Sequence, residues 1–257
     1  MQPMHIHIIL LTSRHTRYYL TLLTFIFLLF PTSTYSQAPT HPWYIGREFC
    51  IPIFYGNLKT QLKDQQPISL QYGLSAGYKL HRLFDLELSI DYGSSRLTAH
   101  TADYGYSLDK HGETYPTLQT SGTVPYSQIY SLLKYAGVGL HAPFNLNRLF
   151  FHRPNPYRLS FLLSPGISVN RYKSKIRLKY SHQTWLSPQV HWSFDLGIDL
   201  LIRYNLSKRI DFQLRSGIKY ISNKKSDGLS TPFPHNTSYA WTSGISLLYK
   251  FGKKRLF

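Results

Sequence analysis

At 257 residues the chain is long enough for one large domain or two small ones. It is strongly basic, with a formal charge of +17 from 29 Lys and Arg against 12 Asp and Glu, and 16% of its residues are aromatic. A single cysteine, Cys50, excludes an internal disulfide framework and the usual cysteine-built zinc sites, and it is expected to be a small, half-buried strand residue.

The first element is an export signal. Arg14 and Arg17 precede the apolar run from Tyr18 to Phe30, Pro31 ends that run, and Thr32-Ser33-Thr34-Tyr35-Ser36 follows. This is the order of n-region, h-region and cleavage region in a secretory signal. The run is shorter than the roughly 20 apolar residues of a membrane-spanning helix. Residues 1–36 are therefore expected to be removed between Ser36 and Gln37, leaving 37–257 as one barrel domain. His5-Ile6-His7 leaves with the signal and is not a metal site.

Beyond the signal no apolar stretch reaches about 18 residues, the length that would mark a helical span. What recurs is period-two alternation, the pattern of strands with two unlike faces. A strand is expected near Tyr44–Tyr55. The next has Leu70, Tyr72, Leu74, Ala76, Tyr78 and Leu80 against Gln71, Gly73, Ser75, Gly77 and Lys79. A tight turn at 81–83 leads to Phe84, Leu86, Leu88, Ile90 and Tyr92 against Asp85, Glu87, Ser89, Asp91 and Gly93. Strands near 127–141 and 158–171 follow, the second with Leu159, Phe161, Leu163, Ile167 and Val169 on one face. Then come Val190 to Tyr204 opposed by Asp195, Asp199 and Arg203, a short turn at 205–208, and Ile210 to Tyr220 opposed by Asp211, Arg215 and Lys219. The last strand sets Tyr239, Trp241, Ile245, Leu247, Tyr249 and Phe251 against Ala240, Thr242, Gly244, Ser246 and Lys250.

About eight strands, mostly longer than the usual soluble strand of about 5–6 residues, suit tilted membrane strands. Long polar connections at 57–68, 99–126, 172–187 and 222–237 alternate with short ones, the outer-membrane arrangement with short turns in the periplasm. The connection around Phe144–Pro156 is long for that side. The expected fold is all-β: a single closed antiparallel up-and-down transmembrane β-barrel of about eight strands. An Arg or Lys at the lipid midplane costs roughly 2–4 kcal/mol. The charged face, with Asp195, Asp199, Arg203, Asp211, Arg215 and Lys219 as its densest cluster, must then line the lumen. Tyr72, Tyr78, Tyr92, Tyr130, Trp192, Tyr204, Tyr220, Tyr239, Trp241 and Tyr249 are expected on the apolar face as interfacial girdles.

The strand Tyr130–Tyr135, the run Asp195–Gly197 and the closing Leu248–Phe251 make the chain resemble the PorT-like outer-membrane β-barrel family of Bacteroidota. Tyr130-Ser131-Leu132-Leu133-Lys134-Tyr135 is similar to that family's P-L-L-L-K-Y strand, with Ser131 where the family has Pro. Asp195-Leu196-Gly197 and the closing Leu248-Tyr249-Lys250-Phe251 also fit. The resemblance covers about 40–251 and implies an outer-membrane barrel; the family's name-giving member belongs to a protein-secretion system.

Chemistry is thin. His191, Ser193 and Asp195 or Asp199 share one strand face, but no G-x-S-x-G motif accompanies them. The remaining histidines lack metal-ligand spacing, and Gly137-Val138-Gly139 sits inside a strand instead of before a helix. Asn205-Leu206-Ser207 and Asn236-Thr237-Ser238 read as turns. No catalytic residue, metal or cofactor is expected.

Lys173, Lys175 and Arg177 follow the fifth strand in what reads as an outer loop, and are candidate contacts for lipopolysaccharide phosphates. The cations are spread over loops and strand ends, so lipid head groups are the expected partner and nucleic acid is not. The expected role is a non-enzymatic integral protein of the cell outer membrane: an envelope scaffold or part of a surface or secretion assembly. The alternatives are a membrane-embedded lipid-modifying enzyme and a soluble, secreted lipocalin-like barrel.

Overall fold

Eight long strands carry the architecture of this computed structural model: β1 (Trp43–Tyr55), β2 (Leu70–Tyr78), β3 (Leu86–Ala99), β4 (Ile129–His141), β5 (Leu159–Leu178), β6 (Gln189–Asn205), β7 (Ile210–Ile221) and β8 (Ser238–Phe251). The structure describes residues 42–56, 58–60, 69–81, 83–99, 105–116, 122–151, 158–223, 228–229 and 238–252. Each strand pairs antiparallel with the next. The first pairs with the last along its whole length, from Trp43 opposite Phe251 to Tyr55 opposite Tyr239. The sheet therefore closes, and closure satisfies every strand edge, which is the condition for crossing lipid with strands.

Period-two alternation decides the faces. Leu74, Ile90, Val138, Ile167, Leu196, Ile198 and Leu247 point outward and are about half exposed. Glu48, Glu87, Asp91, Asp195, Asp199, Arg203, Asp211, Arg215 and Lys250 point inward and are buried. A belt this apolar around a lumen this charged belongs in lipid: the chain is a membrane-spanning barrel of the outer-membrane kind. A lipocalin-like barrel would have the two faces exchanged.

The lumen is filled, as it must be with eight strands. Large inward side chains lie against glycines. A Cβ on Gly77 would collide with the Tyr44 ring, and one on Gly93 with Tyr135. Cys50 is fully buried, not half-buried, because it points inward beside Gly244 and donates from Sγ to Glu48 Oε1 at 2.8 Å.

Toward the rim with the longer loops the inward positions turn apolar. Phe54, Leu97, Ile129, Leu133, Ile176 and Ile221 form a cluster, and Leu58, Leu108, Leu186 and Leu229 from the loops close over it. Trp185 belongs to this roof and donates its indole N–H to the Asp109 carbonyl at 3.1 Å. The charged lumen thus ends beneath a greasy cap, which the expected charged lumen face had not included.

A further expectation needs correction. The fifth strand runs to Leu178, not to 171, so most of the expected loop 172–187 is strand and turn. The reason is that Tyr172, Ser174 and Ile176 keep the inward alternation and pack into the lumen, while the charges between them point outward. The third strand ends at Ala99, where the expected connection begins, and Leu58–Thr60 of the connection 57–68 pairs with it as a short strand. The long connection after β4 holds a two-residue strand, Phe144–Asn145, paired with Leu162 and Leu163, and then a helix, α1 (Leu146–Phe151). These explain its length at the short-turn rim. The expected cleavage site and much of 57–68 and 222–237 lie outside the described residues.

Arg47 interrupts the apolar belt. It points outward in β1 opposite Leu74 and Leu247. Four tilted residues separate it from Trp43 at the strand end, a height of roughly 10 Å. A guanidinium can snorkel that far to the head groups, where the cost of a cation falls to about 0–1 kcal/mol.

Candidate functional site

The lumen charges form three bonded groups stacked along the barrel. At mid-height Arg215 projects from β7 because it lies on the inward set Asp211, Gln213, Arg215, Gly217. Its guanidinium is 2.9 Å from Glu87 Oε1 and 3.0 Å from Glu48 Oε2, with Asp199 Oδ2 at 3.9 Å. Three strands thus aim carboxylates at one cation. His141 extends the group, with Nδ1 3.8 Å from Asp199 and Nε2 3.2 Å from the Ser89 hydroxyl.

Toward the short-turn rim Arg203 meets Asp85 at 2.9 Å, donates to Gln213 at 3.0 Å and lies over the Tyr44 ring. The Tyr44 hydroxyl donates to Glu87 at 2.9 Å and so ties this level to the Arg215 group. Beside it Lys250 pairs with Asp211 at 2.7 Å. Toward the other rim Asp195 accepts hydrogen bonds from Asn170 at 2.6 Å, from Tyr172 at 2.8 Å and from Ser193.

Of the six expected cluster members, Asp199 and Arg215 meet each other. Asp195, Arg203 and Asp211 each bond elsewhere. Lys219 has no carboxylate within 4.0 Å among the described residues. Ser193 gives its proton to Asp195, and His191 pairs with Gln189 at 3.3 Å, so the Ser/His/acid set is not assembled as a nucleophile and base. Among the described residues no three His, Cys, Asp or Glu side chains are placed to hold a metal ion.

The outer surface is asymmetric at the long-loop rim. On β6, β7, β8 and β1 its outward residues include Trp192, Tyr220, Tyr239, Trp241 and Tyr55, with Tyr220 and Tyr239 in edge contact at 5.9 Å. On β3, β4 and β5 they include Arg96, Lys134, Arg171, Lys173, Lys175 and Arg177. Lys173, Lys175 and Arg177 therefore lie on a strand, not in a loop. Register sets Lys173 opposite Lys134 and Arg177 opposite Tyr130. Arg96 stacks on the Tyr130 ring at 3.8 Å. That ring is buried, although it was expected in the lipid-facing girdle, because Arg96 and His182 cover it. In the turn after β5, burial and then the Arg96 guanidinium hold the Lys179 ammonium below its usual range. Among the described outward residues of the eight strands there is no Asp or Glu.

The chain is similar in fold to small outer-membrane barrels. Neisserial surface protein A is 13% identical, with 81% of this chain and 97% of that one covered and a TM-score of 0.45. A major outer membrane protein from Thermus thermophilus is 10% identical, with 82% and 100% covered and a TM-score of 0.48. OprG from Pseudomonas aeruginosa is 13% identical, with 82% and 97% covered and a TM-score of 0.43. No family model and no curated protein matches the chain. At such identities and scores the likeness carries nothing about function.

Several members of the lumen network were not foreseen. Glu48 and Tyr44 lie on β1, whose two faces had not been assigned. Reading Tyr44, Gly46, Glu48, Cys50 against Trp43, Ile45, Phe49, Ile51 would have placed them inward. Asn170 carries no charge to mark it on the face opposite Val169, and Tyr172 fell in the expected loop.

Proposed function

We propose that the protein is a non-enzymatic barrel of the cell outer membrane that acts through its outer surface. In this reading it is an envelope scaffold or a member of a surface or secretion assembly, and Lys173, Lys175 and Arg177 contact lipopolysaccharide. The observation that supports it is the filled lumen. Arg215, Arg203 and their carboxylates occupy the middle, and the apolar cluster closes the mouth. A lumen so filled by its described residues leaves the rims and the outer wall with which to work. The PorT-like strand at Tyr130–Tyr135 favours the assembly role over a purely mechanical one.

Two measurements test this. The purified barrel in a planar bilayer is expected to give no steady ion conductance above background; a stable open level would replace the scaffold reading with a channel. Export is taken to use residues 1–36, so N-terminal sequencing of the membrane-borne protein should begin at Gln37. A chain that retained Arg14 would remove the cleaved signal.

A further inference from the structure

We propose that Arg96, Tyr130 and Arg177 form a cradle for a phosphate group of lipopolysaccharide in the outer leaflet, flanked by Lys134, Lys173 and Lys175. The proposal rests on the reading that the long-loop rim faces that leaflet, and it adds a named site and a ligand chemistry.

Two features of the wall leave it short of an anion. The first is like charge in register. Lys173 and Lys134 are directly opposed on paired strands, an arrangement that destabilises a sheet unless a counter-charge sits between them. No carboxylate on the described outward faces supplies it.

The second feature is a pair of unanswered donors. The Nε–H groups of Arg96 and Arg177 are both buried, and neither has a hydrogen-bond acceptor among the described residues. Both arginines are tied to one residue: Arg96 lies over the Tyr130 ring, and Arg177 is paired with Tyr130 in register on the next strand. The stacking also fixes the plane of the Arg96 fork. Two guanidinium groups on the strands that flank one aromatic suit a tetrahedral oxyanion, which can take several N–H donors at once. A lone carboxylate would satisfy one fork. Lys179, already crowded by Arg96, adds a further positive charge beside the cradle. The opposite wall carries aromatics at the same rim, so the phosphate-facing side of the barrel is β3–β5.

The test uses the processed full-length barrel in nanodiscs of zwitterionic lipid. It is titrated with lipopolysaccharide, with the same lipopolysaccharide stripped of phosphate by phosphatase, and with inorganic phosphate. Wild type should bind the phosphorylated form at least about tenfold more tightly than the stripped form, the worth of charge-assisted hydrogen bonds to one group. Arg96→Gln and Arg177→Gln should each lose about that factor at both low and high salt. Arg96→Lys should not restore binding, since it keeps the charge and loses the fork. Lys173→Gln with Lys175→Gln should weaken binding chiefly at low salt. Lys208→Gln with Arg209→Gln, at the other rim, should change nothing.

Heat-modifiable gel mobility reports folding of each variant, and the comparison of ligands on wild type needs no variant. Equal affinity for the stripped form would overturn the cradle and leave lipid contact standing. No binding of either form would overturn both the cradle and the lipopolysaccharide reading. Inorganic phosphate bound as tightly as the lipid would make this a free-anion site and overturn the lipid assignment.

Discussion

Leu196→Arg is expected to abolish accumulation of the folded barrel in the outer membrane, while Gly197→Ser at the next position leaves it near the wild-type level. Leu196 lies on the outward face of β6, about half exposed to lipid, with Ile167 and Tyr220 as its register neighbours. An Arg there points into the apolar belt among aliphatic and aromatic neighbours, and a cation on that face costs up to roughly 2–4 kcal/mol at the midplane. That is a large share of the stability of a domain of this size. Gly197 faces the lumen and has room: a Cβ there would meet the Ile218 carbonyl at 3.5 Å and nothing nearer. A serine hydroxyl can find partners among lumen polar groups. The contrast with other lumen glycines is a further control, because Gly166→Ser would collide with His141. The readout is the fraction of each variant that shows heat-modifiable mobility in outer-membrane fractions. Equal assembly of Leu196→Arg and Gly197→Ser would mean that the two faces of the barrel are reversed.

The barrel itself was legible because its signal is repeated. Each strand's alternation repeats the choice of face, and a charge such as Asp199 or Arg215 among apolar neighbours fixes the phase. The alternation between tight turns and long loops gives the same answer independently. Where the reading stopped short, the local pattern had changed its meaning. Lys173 to Leu178 alternates charged and uncharged residues, which inside the membrane would be impossible outward and so read as loop. A strand that rises above the lipid can turn those charges to water and head groups. The apolar cap was hidden for the same reason. Leu97, Leu133, Ile176 and Ile221 are inward at the rim, where hydrophobic residues no longer mark the lipid side. Which lumen charges bond to which was not readable at all. Glu48, Glu87, Asp199 and Arg215 come from four strands, and their meeting depends on barrel register, which fixes partners more than a hundred residues apart.

Arg215→Met is expected to be the most damaging single change inside the lumen. Glu48 and Glu87 have side chains 4% and 0% exposed, and Asp199 is nearly as enclosed. With the guanidinium they form a compensated group; without it three carboxylates face one another in a poorly hydrated interior. Removing one partner from a buried ion pair costs about 3–5 kcal/mol, most of it the penalty on the charge left behind. Here more than one charge is left, so the upper end of that range is expected. Lys250→Met supplies the comparison. It strands only Asp211, at the short-turn rim where Lys250 also donates to Asn205 and the Ser207 carbonyl. Its cost should be clearly smaller. Urea unfolding of the detergent-folded barrel gives both values. The two positions are coupled: Glu87→Gln removes one of the stranded charges, so Arg215→Met with Glu87→Gln should be more stable than Arg215→Met alone, although Glu87→Gln by itself destabilises. A double variant no better than the sum of its parts would show that Arg215 holds the lumen by packing alone, and that the carboxylates around it are already satisfied by water.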